Sequence, residues 1–206
     1  MDVVKFYTDL GFWHVMDWAG LDHFFFIVTL AIPFTFSESK KLLWWVTLFT
    51  LGHTLSLVGN FYAAINFSSF WIELLIPITI AMSAGSLLFQ KGTSFASKIS
   101  WFFPILTVLF GVIHGLGFVR YFSMLIPEEA VGLSLFSFAI GVELAKIMIV
   151  LGVLISNLIV VRVMKFSASK WEYFIGVMIL SKAFAMIFER ISVSYTHLTL
   201  PTILLV

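Results

Sequence analysis

Apolar residues run along this chain in long, nearly unbroken blocks with short polar punctuation between them. The first block covers about residues 21–36 and is closed by Ser37, Glu38, Ser39, Lys40 and Lys41; the others cover about 42–62, 70–89, 101–122, 130–161 and 171–188. A helix needs roughly 20 apolar residues to cross the hydrocarbon core of a bilayer, so the pattern predicts an all-α polytopic membrane protein with six transmembrane helices. Barrel strands would alternate apolar and polar positions, and these blocks do not. The fifth block exceeds a simple crossing, which predicts tilt or projection past the interface. Residues 1–18 carry Asp2, Lys5, Asp9 and Asp17 and lack both a basic leading segment and a compact apolar stretch, so they do not read as a cleavable signal.

Composition agrees. The chain is 61% hydrophobic and 11% charged, with a mean hydropathy of +1.07, whereas soluble domains carry about 25% charged residues. A cytosolic enzyme or a disordered segment is excluded. A nucleic-acid partner is excluded too, because 12 Lys and Arg are dispersed among 11 Asp and Glu and form no basic stripe to neutralise phosphates. With no cysteine, any bound metal must use imidazole, carboxylate or carbonyl ligands.

Basic residues mark alternate loops: Lys40 and Lys41, then Lys91 and Lys98, then Arg162, Lys165 and Lys170. The opposite side carries Glu128 and Glu129 with Arg120. The positive-inside rule then places both termini outside. Trp13, Trp18, Trp71, Trp101 and Trp171 fall at block ends, and Trp44 and Trp45 fit the same interfacial belt. Three crossings plus three are compatible with an inverted repeat, although the sequence offers only a local echo between Phe49–Leu55 and Phe110–Leu116.

Ionisable groups within the bilayer cost at least ~2.5 kcal/mol each, so every one is a functional candidate. Six stand inside the blocks: Asp22, His23, His53, Glu73, His114 and Glu143. Counted from the block ends at 1.5 Å per residue, all six are expected between the midplane and the outer surface. Thr50, His53 and Asn60 share one helical stripe, and Thr107, Gly111, His114 and Gly117 share another. Three imidazoles and three carboxylates suit Ni, Co, Zn or Cu. Lys146, three residues after Glu143 and able to pair with it, leaves a net charge that a divalent cation would neutralise. Three imidazoles also suit an intramembrane zinc-dependent hydrolase, and His53 with His114 suit axial haem ligation. The eight methionines are scattered and read as packing.

The segments around these residues resemble the successive signatures of the HupE/UreJ family. They are His14-Val-Met-Asp-Trp-Ala-Gly-Leu-Asp22-His23, Phe49-Thr-Leu-Gly-His53-Thr, Glu73 at the head of the third block, Phe110-Gly-Val-Ile-His114-Gly-Leu-Gly-Phe118 and Phe138-Ala-Ile-Gly-Val-Glu143. The resemblance covers about residues 11–190. It implies a secondary transporter moving Ni²⁺ or Co²⁺ across the bacterial cytoplasmic membrane, with the ion as cargo and no resident cofactor required. In that reading Asp22, His23 and Glu73 receive the ion while His53, His114 and Glu143 hold it. Three departures stand out. His14 lies further from Asp22 than in the family pattern, which leaves it either in the site or in an outer vestibule; Arg120 and Tyr121 stand where some members carry a glutamate; and Lys146 stands where Gln is common. The single membrane domain is expected over residues 1–190. The tail at 191–206 is atypical of the family and resembles translated adapter sequence.

Overall fold

The computed structural model describes residues 2–18, 21–63, 68–89, 102–126 and 130–199, and these form seven α-helices with no strand among them. The seventh helix arises because the chain is already helical well before the first predicted block. In α1 (Val3–Met16) the Asp2 carboxylate accepts the Val4 N–H at 3.1 Å and caps the helix. Tyr7, Gly11 and Val15, spaced by four, form its buried stripe. Next comes α2 (Asp22–Ala31), which ends just before Pro33, a residue with no amide hydrogen to continue the ladder. The expected helix over 21–36 is therefore only ten residues long.

At 1.5 Å per residue, α1 is about 21 Å long and α2 about 15 Å, so neither spans a core of roughly 30 Å alone. Placed end to end, they are long enough to do so. Both lie along α6 (Val131–Asn157): the Thr8 hydroxyl donates to the Ser137 carbonyl at 3.2 Å, and at the far end Asn157 Nδ2 donates to the carbonyls of Ile32 (2.8 Å) and Phe34 (3.2 Å). Rising residue numbers on α1 and α2 meet rising numbers on α6. The two helices run the same way along α6, one after the other, with the helix interrupted between Met16 and Asp22.

The remaining helices follow the predicted blocks closely: α3 (Ser39–Ala63), α4 (Ser69–Phe89) and α5 (Phe102–Ser123). α6 runs on into a π-helical turn at Leu158–Val163, and Lys165, at φ 55°, redirects the chain toward α7 (Ala168–Thr199). Among the described residues three segments are long and apolar enough to cross a membrane, Phe36–Tyr62, Ser69–Leu88 and Val131–Val163. Exposed Phe136, Ile140, Leu144, Ile147, Leu151 and Ile155 form an apolar stripe along α6; such a surface needs lipid around it. The protein is a helical membrane protein. Trp13, Trp18, Trp44 and Trp71 are exposed, but Trp45, expected beside them, is only 2% exposed and packs edge-on against Phe34 inside the bundle. Lys91, Lys98, Trp101, Glu128 and Glu129, on which much of the orientation reading rests, lie outside the described residues.

Glycine sets the closest helix contacts. A Cβ on Gly11 would lie 2.2 Å from the Phe138 carbonyl oxygen, and one on Gly141 would lie 2.0 Å from that of Thr8. α3 and α5 repeat this register: Gly52 against Val108 and Gly111 against Phe49, both at 2.2 Å. In each pair, a glycine rests on the carbonyl three residues before its partner glycine. Gly115 in turn meets His53 and Ser56, so α3 and α5 also run parallel. Between the pairs the sense reverses, since Lys146 reaches Thr50 while the earlier Phe138 packs on the later His53. Two parallel pairs, α1 with α6 and α3 with α5, thus lie antiparallel to one another. The sequence echo at Phe49–Leu55 and Phe110–Leu116 falls within one pair.

Candidate metal centre

The break between α1 and α2 sets the last turn of one helix beside the first turn of the next. His14 and His23 meet there with ring centroids 4.9 Å apart. α3 delivers His53, 5.8 Å from His14 and 5.5 Å from His23, and α5 delivers His114, 5.2 Å from His23. The glycine crossings make this possible, because Gly11 and Gly111 each stand three residues before a histidine of the cluster, and Gly52 stands next to His53. One potential ligand atom each from His14, His23 and His53 lies within 4.8 Å of the others. Metal–imidazole bonds of about 2.1 Å would draw these atoms somewhat closer, a movement small enough for ring rotation to supply.

All four Nε2 atoms are buried without a hydrogen-bond partner. A buried polar atom left unpaired costs about 1–3 kcal/mol, so four in one place form a donor set that a shared ligand or ordered water would satisfy. The opposite ring nitrogens are engaged in two of the four. His114 Nδ1–H donates to the Phe110 carbonyl at 2.8 Å, and His23 Nδ1 lies 3.2 Å from Asp22 Oδ1. These bonds fix the tautomer that leaves Nε2 as a lone pair, as partners behind a metal-bound imidazole do. Asp22 Oδ1 also accepts the His23 backbone N–H at 2.9 Å, so in this arrangement Asp22 orients His23. Phe118 on His14 (3.8 Å) and Phe49 against His23 and His114 (5.9 and 5.3 Å) wall the cluster with apolar surface.

The other two carboxylates lie elsewhere. Glu143, half-buried, accepts the Thr47 hydroxyl at 2.7 Å and the Thr50 hydroxyl on its second oxygen. Those threonines precede His53 on α3 by six and three residues, so Glu143 sits one to two turns from the imidazoles. Its expected pairing with Lys146 runs through Thr50, to which the Lys146 ammonium donates at 2.9 Å. Glu73 accepts from Arg190 Nη1 at 2.9 Å, with both side chains about half exposed. This pair ties α4 to α7 and does not bring Glu73 to the histidines.

Sequence reasoning had no helix for residues 3–16 and gave the threonines around Glu143 no role in holding its carboxylate. The available signals were Asp2 as a cap, the four-residue spacing of Tyr7, Gly11 and Val15, and the Gly-x-x-His spacing shared by residues 11–14 and 111–114. With no thiolate available, three or four imidazoles walled by phenylalanines suit a borderline divalent cation such as Ni²⁺, Co²⁺, Zn²⁺ or Cu²⁺.

Compared with known proteins, residues 1–190 match the model of one family, described as HupE / UreJ protein. No curated protein and no solved structure matches.

Proposed function

The chain belongs to the HupE/UreJ family, and from that premise we propose that it is a secondary transporter carrying Ni²⁺ or Co²⁺ across the bacterial cytoplasmic membrane. One observation carries the proposal: four buried Nε2 atoms, from four different helices, share one cluster and have no other partner. His14, His23 and His53 bind the ion, His114 supplies a fourth nitrogen, and Asp22 holds His23 in the binding tautomer. His14 belongs in the site in this reading, while Glu73 serves an outer ion pair. The reading keeps six crossings with both termini outside, the first made of α1 and α2 in succession. An interruption between α1 and α2 places helix ends beside the cargo, a recurring device in transporters. Three imidazoles converging on one point suit an ion better than a haem plane, which takes its two ligands from opposite faces.

The two antiparallel glycine-crossed pairs supply surfaces for alternating access. With no Cβ between the backbones, each pair moves as a unit, and one pair rocks against the other around the imidazoles. Nickel held by nitrogen alone stays exchangeable, because no thiolate anchors it.

The test is cellular accumulation of nickel, cobalt, zinc and manganese by elemental analysis, comparing wild type with His53→Ala at matched membrane levels. Selective gain of nickel or cobalt, lost in the variant, is the expected result. No gain for any ion, with firmly held stoichiometric zinc in the purified protein, would overturn the reading in favour of an intramembrane zinc hydrolase.

A further inference from the structure

Lys146 is fully buried. An ionisable side chain at this depth is expensive, and its surroundings show what it faces. The ammonium donates to the Thr50 hydroxyl at 2.9 Å and lies 4.0 Å from the centroid of the Phe49 ring, a cation–π contact. The same Thr50 hydroxyl donates to Glu143, and Thr47 donates to the other carboxylate oxygen. One carboxylate and two hydroxyls thus gather four oxygen atoms on the junction of α3 and α6, and one hydroxyl away stands a tethered cation.

We propose that Glu143, Thr47 and Thr50 form a second cation station, made of oxygen donors, which the Lys146 ammonium serves as an internal counter-ion until a divalent ion displaces it. The inference rests on the transporter reading and extends it. Oxygen donors hold a borderline ion less selectively than imidazole does, so an ion leaving the nitrogen cluster finds here a neighbouring place from which release is easy. Glu143 is half-buried and Thr47 exposed, whereas Lys146 is enclosed. Thr47 lies on the α3 face that carries exposed Trp44 and Leu51, and Glu143 beside exposed Ile140 and Leu144, so lipid closes that side of the station and the ion comes along the bundle from the imidazoles. A divalent ion at Glu143 and an ammonium on Thr50 repel one another, so the two occupy the station by turns. The flexible four-carbon stem of lysine permits the withdrawal.

The experiment counts nickel bound per chain after equilibrium dialysis of the purified full-length protein in detergent. Wild type is expected to hold one ion and Lys146→Met two, a doubling that both Lys146→Met/Glu143→Gln and His53→Ala/Lys146→Met return to one. Lys146→Arg, which keeps the charge, is expected to stay at the wild-type count, and Lys146→Gln replaces the methionine variant if that protein is not monodisperse. A charge-removing variant that is well folded and still holds the wild-type number of ions overturns the proposal. If wild type holds none, while Lys146→Met holds one that Glu143→Gln removes, the nitrogen cluster fails and the oxygen station stands.

Discussion

The imidazole cluster and the Glu143 group lie within two helical turns of each other on α3, yet they treat their polar atoms in opposite ways. In the cluster, four Nε2 atoms are buried and unpaired. In the neighbouring group, both carboxylate oxygens accept hydroxyl protons and the lysine is hydrogen-bonded. Both regions carry ionisable groups in an apolar bundle, so the presence of such groups does not by itself identify a site. What separates them is satisfaction: the first needs something from outside the chain, and the second already holds a cation of its own.

That contrast breaks most sharply at His53. His53→Ala is expected to reduce nickel accumulation to the background of cells lacking the protein; persistence of uptake would remove the cluster from the account. Next in size come the crossing glycines that hold the cluster together. Gly52→Leu or Gly111→Leu drives a side chain into a backbone carbonyl and is expected to destabilise the purified protein by at least about 1–3 kcal/mol, read as a lower thermal midpoint. Gly59→Ala, with nothing within 4 Å of the added carbon, is expected to be neutral or slightly stabilising. Equal losses at both kinds of position would show that the close crossings do not matter.

Asp22→Asn sharpens the comparison from the orienting side. It keeps the shape but weakens the bond that fixes the His23 tautomer, so nickel affinity measured by titration is expected to fall about 10–100-fold with the number of bound ions unchanged. Loss of a whole ion would instead make Asp22 a direct ligand. The smallest effect is expected at Glu73→Gln, which removes a half-exposed pair with Arg190 worth about 1 kcal/mol or less. Bound nickel should be the same as in wild type, and a lost ion would return Glu73 to the site.

Much of this was legible in the chain, because apolar blocks and family signatures both rest on local pattern. The blocks at 42–62, 70–89 and 101–122 became α3, α4 and α5, and the HupE/UreJ resemblance stands. What could not be read is non-local. The expected helix over 21–36 presumed that one crossing is one apolar run, whereas α1 carries Lys5, Asp9 and His14 and gains its place by lying along α6 through Gly11 and Gly141. The depth expected for the six ionisable groups did not reveal which of them share a face across different helices. His14 joins His23 through the break, and Glu143 turns to threonines on α3. Trp45 was indistinguishable from its neighbour Trp44 until α3 presented opposite sides to the bundle and to lipid.

The central claim is that imidazole nitrogen holds the cargo. X-ray absorption at the nickel edge, on purified protein loaded with one ion per chain, tests it most directly. The account predicts three or four imidazole nitrogens around the metal, with at least one lost in His53→Ala; a first shell of oxygen alone, unchanged by that substitution, would contradict it.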